Sequence, residues 1–402
     1  MASIVAGIVT DESNSIAIAG AGIGGLTAAL ALAQRGLSST IYERRDALSE
    51  AGAGIQLGPN ATNVLARLGV LESVRALSSE PDALSVHDAM SGKVLARLPL
   101  GAWMRERHGA PYLTLHRQDL HRALATAAEV IARIQVLPGR NVVAFAQSSS
   151  ADRVDIAFRD GKTVAADALI VADGLWSRLR EAVTPCAGPS PAGKCAYRTV
   201  VPRYVLADGL AANDVHIWLA PGAHVVHYPV RQGTQISLVA VIDGASTVDA
   251  WDSPATQAAL SASPVAQFVE SIREMIFYSR AWRMWPLQTL PRLDRWTRGA
   301  VALLGDAAHP LLPFFAQGGG LAIEDAAVLA DCLARGGPMP DRLQAYEKER
   351  RARAERVVAA SHTNGRIYHL DGAMAAARNA VLGTVPAHLM MRRYDWLYGW
   401  KT

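Results

Sequence analysis

The pattern of apolar positions near the N-terminus predicts a strand, a helix and a second strand. Ser15–Ala19 alternates short apolar residues and predicts a buried strand, while Gly24–Arg35 is rich in alanine and leucine and predicts a helix that ends before Gly36. Ser39–Tyr42 predicts the second strand. These elements together predict a βαβ unit, whose crossover is right-handed in nearly all proteins.

The pattern changes between Tyr197 and Ile242, where strand-like runs follow one another without helices between them. The runs are Thr199–Tyr204, Val215–Leu219, His224–Val230 and Gln235–Ile242. Turn residues separate them, which is typical of an antiparallel sheet. Beyond this stretch, Ala300–Leu304 predicts a short buried strand, and Gly320–Ala334 and Leu343–Val358 predict helices.

The order of these elements predicts an α/β fold with a discontinuous first domain. Residues 15–182 and 296–360 are expected to form a Rossmann-like βαβ domain, and residues 183–295 an antiparallel β-sheet domain inserted between its two parts. Residues 361–402 are expected to follow as a C-terminal helical segment.

The composition is that of a globular protein with a large core. Of the 402 residues, 50% are hydrophobic and 19% are charged, which excludes disorder as the global state. The net charge is +4, from 40 basic and 36 acidic side chains, and no basic run is interleaved with aromatic residues. We therefore expect no nucleic-acid partner.

Cysteine usage and the N-terminal residues bear on the compartment. Cys186, Cys195 and Cys332 have no metal-ligand spacing, so we expect no metal site, no disulfide framework and a reducing compartment. Residues 1–14 lack the basic region of a secretory signal, which favours a cytoplasmic location. Ser15–Gln34 is as long as a membrane span, but its glycine spacing indicates another role, so no membrane association is expected. We expect a monomer or a homodimer.

Gly20, Gly22 and Gly25 occupy the glycine positions of the pattern GxGxxG, between the first predicted strand and helix. In dinucleotide-binding proteins these glycines make a tight turn, let the backbone approach a pyrophosphate and allow close helix–strand packing. Glu43 follows at the end of the second strand and can accept hydrogen bonds from a ribose diol. A structural glycine turn with a surface glutamate is the alternative, and the strand–turn–helix context favours a dinucleotide site. The motif alone does not distinguish FAD from NAD.

Further motifs follow along the chain. They are Gly52–Asn60 (GAGIQLGPN), His116–Leu120 (HRQDL), Ala172–Gly174 (ADG), Val301–Pro310 (VALLGDAAHP) and Ala316–Ala326 (AQGGGLAIEDA). In these motifs and their order, the chain resembles the group A flavin-dependent aromatic hydroxylases, the para-hydroxybenzoate hydroxylase superfamily. The likeness is greatest to its salicylate hydroxylases, 3-hydroxybenzoate 6-hydroxylases and 6-hydroxynicotinate 3-monooxygenases. The chain departs from the family's usual form GADG at Val171, which replaces the first glycine.

The resemblance implies that the discontinuous domain binds FAD and that the inserted sheet domain binds the substrate. The cofactor-binding residues that it implies are Gly20, Gly22, Gly25, Glu43, Arg44, Gly54, Ile55, Gln56, Arg117, Asp173, Asp306, Pro310, Gly318, Gly319 and Gly320. The glycine-rich chain before Leu321 also has a physical role, because a helix N-terminus there stabilises the negative charge of a reduced flavin. An ordinary glycine turn is the alternative.

Period-two alternation places His224, Val226 and Tyr228 on one face of a strand and His227 on the other. The resemblance implies that His224 and Tyr228 are catalytic residues that face the substrate. A core histidine and an ordinary sheet tyrosine are the alternatives, and we assign His227 to the core.

The remaining substrate contacts are less specific. Arg198 and Arg231 are candidates for binding a carboxylate, because the arginine fork matches that group, although either could be a surface charge. The 6-hydroxynicotinate enzymes have a histidine where this chain has Gln56. The 3-hydroxybenzoate enzymes have a glutamine near the position of Pro313, so Pro313 favours a salicylate-like substrate.

The resemblance implies a monooxygenase of aromatic compound catabolism that uses FAD, O2 and NADH or NADPH. Its substrate would be a small phenolic or hydroxypyridine carboxylic acid, hydroxylated through a C4a-hydroperoxyflavin. Since no second GxGxxG in a βαβ context is visible, we expect NADH or NADPH to dock only transiently. An FAD-dependent oxidoreductase without oxygen insertion and a non-catalytic FAD-binding protein are the alternatives.

Overall fold

The computed structural model describes residues 15–48, 53–147, 152–206, 210, 213–244 and 252–402. Gly52, the first residue of the motif GAGIQLGPN, and residues 1–14 lie outside the described residues. The strands are β1 (Ser15–Ala19), β2 (Ser38–Tyr42), β3 (Gly54–Leu57), β4 (Ala83–Asp88), β5 (Val94–Pro99), β6 (Leu113–His116), β7 (Ile134–Leu137), β8 (Val142–Gln147), β9 (Val154–Phe158), β10 (Thr163–Ala166), β11 (Ala168–Val171), β12 (Ser190–Pro202), β13 (Val215–Ala220), β14 (Ala223–Val230), β15 (Gln235–Asp243), β16 (Ser253–Ala255), β17 (Trp282–Thr289), β18 (Thr297–Arg298) and β19 (Val301–Leu303). The helices are α1 (Ile23–Gln34), α2 (Pro59–Arg67), α3 (Leu71–Arg75), α4 (Gly101–His108), α5 (Arg117–Glu129), α6 (Arg180–Val183), α7 (Gln257–Ser261), α8 (Glu270–Tyr278), α9 (Gly318–Leu333), α10 (Met339–Tyr368), α11 (Gly372–Thr384), α12 (Ala387–Arg392) and α13 (Asp395–Tyr398).

A sheet in the order β18-β19-β11-β1-β2-β7 forms the centre of the first domain. All pairs of adjacent strands in this sheet are parallel except β18 and β19, which are antiparallel. Ile16 and Ile18 of β1 are buried, as expected for a parallel sheet covered on both faces. α1 is buried along most of its length and packs on α5 and α9. This architecture confirms the predicted α/β fold with its βαβ unit.

A second sheet has eight strands in the order β16-β17-β12-β15-β14-β13-β4-β5. Apolar side chains on one of its faces, including Leu238 and Trp282, form a core with α8 residues such as Ile272. The opposite face turns toward the first domain. The sheet is mixed rather than purely antiparallel, because β4 pairs in parallel with β13.

The structure differs from the expected domain bounds in two places. Strands β4 and β5 fall within residues 15–182, yet they belong to the second sheet, where Leu84 pairs with Val215. A short hairpin carries no local signal for a partner so distant in sequence. The expected boundary at residue 361 falls inside α10, because that helix continues through Gly365 to Tyr368. A Cβ at Gly365 would lie 2.6 Å from the ring of Phe314, so glycine allows this close packing.

Across the described ranges, no helix combines the length and the apolar character needed to span a membrane. Within the same ranges, no cluster of histidine, cysteine, aspartate and glutamate has a geometry that could hold a metal ion.

A buried ion network fixes α9 against α10. Arg350, which is 1% exposed, donates to Glu324 and to Asp325 at 2.7 Å each. Arg353 also pairs with Glu324, and His309 Nε2 lies 2.6 Å from Asp325 Oδ2. Burial by itself would raise the pKa of Asp325, but the charges of His309 and Arg350 outweigh it and lower that pKa to about 2. The network therefore stabilises the fold with Asp325 ionised.

Replacing Arg350 with methionine is expected to lower the free energy of unfolding by about 3–5 kcal/mol, because Glu324 and Asp325 keep buried charges with fewer partners. Urea unfolding at pH 7 measures this change. Arg335→Met is the matched control, since its pair with Glu349 is exposed and contributes less than about 1 kcal/mol. Equal losses in the two variants would contradict the structural role of the network.

The network also predicts a pH dependence. The pKa of Asp325 is lower in the folded protein, at about 2, than its ordinary value of 3.8. The ionised Asp325 therefore adds about 2 kcal/mol to the free energy of unfolding above pH 3.8, and this contribution is lost as pH falls toward 2. In Arg350→Met this acid-sensitive contribution should shrink, so the stability gap between wild type and variant should narrow as pH falls.

Candidate active site

A cavity of about 840 Å³ lies between the two sheets, at the carboxyl ends of β1, β2, β11 and β19. Ligands in open α/β sheets bind at this edge, and the volume is near the upper end of ligand sites. The predicted site residues that line it are Gly20, Gly22, Glu43, Arg44, Gly54, Ile55, Gln56, Arg117, Asp173, Arg198, His224, Tyr228, Asp306, Pro310, Pro313, Gly318 and Gly319. The cavity thus brings together most of the residues predicted from sequence.

The first glycine turn has room for no side chain. Gly20 has φ +108°, and a Cβ there would lie 2.6 Å from the carbonyl oxygen of Ala172. A Cβ at Gly25 would lie 2.0 Å from the carbonyl oxygen of Gly20. Gly25 does not line the cavity; it allows α1 to pack on the turn, as the pattern predicts. The N-terminus of α1 is therefore held at the cavity wall, where its N–H groups can bind phosphate.

Glu43 connects β2 to this turn. Its Oε2 accepts a hydrogen bond from the backbone N–H of Ala21 at 2.9 Å, and its Oε1 accepts one from the N–H of Arg45 at 2.9 Å. Each carboxylate oxygen has a further lone pair, and Glu43 lines the cavity. Its position agrees with ribose binding, and the sequence pattern did not reveal that it also orders the turn.

Asp173 lies in the loop after β11, and Arg180 is the first residue of α6. Asp173 Oδ1 is buried and has no hydrogen-bond partner among the described residues, and burial raises the pKa of this carboxyl group. Arg180, 2% exposed, donates to the carbonyl oxygens of Ala307 at 2.6 Å and Leu175 at 2.8 Å. It therefore joins the ADG loop to the turn that contains Asp306. Arg180 was missed as a site residue, although its place just after the ADG motif was a usable signal.

The N-terminus of α9 faces the cavity through Gly318 and Gly319. A Cβ at Gly319 would lie 2.6 Å from the side chain of Ile55, so a glycine is required there. Gly320 does not line the cavity and lies beside Gln317 instead. The helix is 16 residues long, and its positive end is directed at the site. The arrangement can stabilise a negative charge on a bound ring.

Tyr228 lies against β3, on the wall formed by the second sheet. A Cβ at Gly54 would lie 2.6 Å from its hydroxyl oxygen, so Gly54 makes room for the tyrosine. Burial raises the pKa of Tyr228, while Ser237, Arg198 and Gln56 oppose that effect. The phenol therefore remains protonated at neutral pH and can donate a hydrogen bond into the cavity.

Arg198 is a partly buried cation on the same wall. It pairs across the sheet with Val239, which in turn pairs with Val226, so it lies in the row between His224 and Tyr228. Burial lowers its pKa. Its Nε has no hydrogen-bond partner among the described residues, and its guanidinium lies 5.3 Å from the ring of Trp285. A guanidinium whose Nε is buried without a partner is suited to binding an anionic ligand.

The expectation that Arg231 binds the substrate is not supported by its position. β14 ends at Val230, and Arg231 begins the following turn with φ +50°. Its Nε donates to Asp119 Oδ2 at 2.9 Å, and it does not line the cavity. The turn directs its side chain away from the sheet face that carries Arg198.

His224 is 3% exposed and lines the cavity. Burial lowers its pKa well below 6.5, and the neighbouring His369 and Lys194 lower it further. Its Nδ1 lies 2.7 Å from Nε2 of His369. Sequence reasoning missed His369, which follows α10 and carries no motif. His227 lies on the other face, stacked on His216 at 4.5 Å between ring centroids.

Comparison with known proteins bears on the cofactor and the chemistry. The family described as "FAD binding domain" matches residues 13–361. The chain is 36% identical to 3-hydroxybenzoate 6-hydroxylase 1 of Aquipseudomonas alcaligenes, over 97% of this chain and 98% of that protein. It is 35% identical to 6-hydroxynicotinate 3-monooxygenase of Bordetella bronchiseptica, over 87% and 91% of the two chains. The crystal structure of Klebsiella pneumoniae HpxO complexed with FAD and uric acid matches with a TM-score of 0.83 and 25% identity, covering 94% and 95% of the two chains.

Proposed function

This chain belongs to the FAD-binding-domain family of aromatic hydroxylases, and from that premise we propose that it hydroxylates a small phenolic or hydroxypyridine carboxylic acid. It is an FAD-dependent aromatic monooxygenase that consumes NAD(P)H and O2. The observation that carries the substrate proposal is the wall of the cavity on which His224, Tyr228 and Arg198 lie together.

The residues present fit FAD. Gly20 and the N-terminus of α1 can hold the pyrophosphate, and Glu43 can bind a ribose. The unpartnered Oδ1 of Asp173 can accept a hydrogen bond from the cofactor. FAD held by these residues would supply the chemistry of the reaction, which is hydride acceptance from NAD(P)H and activation of O2 for insertion of one oxygen atom into the substrate ring.

The chain's own residues bind and orient the acid. Arg198 binds the carboxylate, and Tyr228 donates a hydrogen bond to a polar group of the ring. Because β12 and β14 are two strand spacings apart, about 9–10 Å, an aromatic acid can contact both. His224 accepts the proton of the phenol, which makes the ring more electron-rich.

Apolar side chains complete the pocket around these polar groups. Val239, Val241, Leu287 and Leu312 line the same cavity. They exclude water from the reacting atoms, which limits wasteful consumption of NAD(P)H. Pro313 also lines the cavity, and it supports a salicylate-like acid as the preferred substrate.

We expect salicylate, tested beside 3-hydroxybenzoate and 6-hydroxynicotinate, to stimulate NAD(P)H oxidation at least tenfold and to yield a hydroxylated product. Product formation and hydrogen peroxide are measured together. If hydrogen peroxide accounts for all the NAD(P)H consumed with every acid, the protein is an oxidoreductase without oxygen insertion. A protein that binds FAD but oxidises no NAD(P)H would support the non-catalytic alternative.

We further propose that the protein acts in the cytoplasm as a monomer or homodimer. Its three cysteines form no disulfide, which is consistent with a reducing compartment. Fractionation of the source cells and light scattering of the purified protein test the two parts of this proposal.

A further inference from the structure

A chain of hydrogen-bonding groups leads from the cavity to the protein surface. His224 Nδ1 lies 2.7 Å from Nε2 of His369, and His369 Nδ1 lies 2.7 Å from Oδ1 of Asp243. The side chain of His369 is 4% exposed, whereas that of Asp243 is 43% exposed. β14, the end of α10 and the end of β15 contribute one group each, so the chain forms only in the folded protein.

We propose that His369 and Asp243 are positioning residues of a proton relay, which carries the phenolic proton of the substrate from His224 to the solvent. The proposal rests on the proposed function, since it requires a hydroxylated aromatic substrate in the cavity.

The proposal takes Asp243, rather than Lys194 Nζ at 3.2 Å, as the hydrogen-bond partner of His369 Nδ1, and this choice assigns the ring protons. A carboxylate only accepts, so Asp243 accepts from His369 Nδ1–H, and His369 Nε2 is left to accept from His224 Nδ1–H. His224 Nε2, which makes no hydrogen bond to the described residues, then carries a lone pair. It is the nitrogen available to the cavity that His224 lines. The arrangement prepares His224 as a proton acceptor before the substrate binds.

The charged and titratable groups around the relay favour moving the proton outward. Lys194 of β12 pairs with Asp243 and lies 3.2 Å from His369 Nδ1. Arg378 of α11 also acts on His369, and Tyr368 packs its ring edge-on against His224. Burial, and after it the positive charges of Lys194 and Arg378, keep the pKa of His369 below its ordinary value, although Asp243 raises it. Asp243 is the anionic end of the chain and lies at the surface.

Because burial makes a protonated histidine unfavourable, a proton taken up by His224 needs a path to the solvent. Burial lowers the pKa of His224 and of His369, so neither side chain holds a proton for long at neutral pH. In the proposed step, the phenol O–H bond breaks and its electron pair stays on oxygen, while Nε2 of His224 gains the proton. The Nδ1 proton of His224 passes to His369, and the Nδ1 proton of His369 passes to Asp243 and then to water. One proton leaves the cavity, and both histidines end neutral with their ring protons on Nε2, so the resting tautomers must be restored before the next turnover.

His369→Gln and Asp243→Asn test the relay in the FAD-loaded enzyme. Glutamine keeps a hydrogen-bonding group beside His224 but cannot exchange protons between two ring nitrogens. We expect kcat for salicylate, or for the panel acid that the wild type hydroxylates fastest, to fall roughly 10- to 100-fold at pH 7 in both variants. KM and FAD content should stay within twofold of wild type. For an acid of the panel whose phenol ionises at about pH 10, the deficit should shrink as pH rises toward that value, because more of the phenol is then already ionised in solution.

Proton release gives a second readout. A pH-indicator dye in weak buffer should report about one proton released per site when the wild type binds the same acid, and a slower or smaller release in His369→Gln. His362→Gln, in the same helix as the end of the relay but exposed to solvent, is the matched control and should behave as wild type. In His369→Ala, added imidazole should restore part of the rate if the lost function is proton transfer.

The outcomes separate the two proposals. A wild type that hydroxylates a phenolic acid, with variants that keep its rate and pH profile, overturns the relay and leaves the proposed function standing. Loss of FAD or a uniform loss of rate at every pH, without rescue by imidazole, overturns the relay in favour of a purely structural role. A wild type that hydroxylates no acid of the panel removes both proposals.

Discussion

Replacing Arg198 with methionine is expected to lower kcat/KM for the aromatic acid about 100-fold, without lowering the stability of the protein. Loss of a buried, charge-assisted contact to a carboxylate costs about 3 kcal/mol. Stability should be unchanged or higher, because the Nε of this partly buried cation has no partner among the described residues, and methionine removes the cost of burying it. Steady-state kinetics and thermal unfolding of the same preparations measure the two quantities.

Two comparisons make the Arg198 prediction specific. Salicyl alcohol has no carboxylate, so the wild type should prefer salicylate over it, and Arg198→Met should lose that preference. Arg198→Lys keeps the charge but not the planar fork, and its loss should be intermediate. If Arg198→Met still prefers the acid, another group binds the carboxylate. If its melting temperature falls sharply, Arg198 has a structural role instead.

Replacing Gly25 with alanine is expected to abolish FAD binding in a protein that still folds. The new Cβ would lie 2.0 Å from the carbonyl oxygen of Gly20, a backbone atom that cannot move without displacing the turn. The N-terminus of α1 must then withdraw from the phosphate position. We expect FAD affinity to fall at least 100-fold, as measured by flavin absorbance of the purified protein and by FAD titration.

The other end of the same helix provides the control for Gly25. Gly36 has φ +78°, but a Cβ there would meet nothing within 4 Å. Gly36→Ala should therefore cost about 1 kcal/mol of stability from backbone strain and retain its FAD. Circular dichroism should show both variants folded. Full FAD occupancy in Gly25→Ala would refute the role assigned to the turn.

Sequence reasoning succeeded where the information is local. Gly20 and Gly25 could be assigned because a tight turn between a strand and a helix leaves a short, specific pattern. The alternation of His224, Val226 and Tyr228 likewise gave the correct face, since it depends only on the two-residue period of a strand. These features need no knowledge of what packs against them.

The failures concern contacts between distant parts of the chain. His369 contacts His224 although the two residues are 145 positions apart in the sequence, and neither segment contains a pattern that predicts the contact. Arg198 and Arg231 were equal candidates, because cross-strand register and the end of β14 decide which one faces the cavity. For the same reason, the expected bounds placed strand β4 in the first domain, although it pairs with β13 of the second sheet.

The place of strands β4 and β5 affects how the protein could be rearranged by recombination. The hairpin of β4 and β5 forms one edge of the second sheet. It is synthesised more than a hundred residues before β13, the strand with which β4 pairs. Until β13 is synthesised, the hairpin exposes an unpaired strand edge, so the two lobes must mature together. Exchanging only residues 183–295 with a relative would leave the recipient's hairpin beside a foreign strand, and a viable chimera would have to carry both segments.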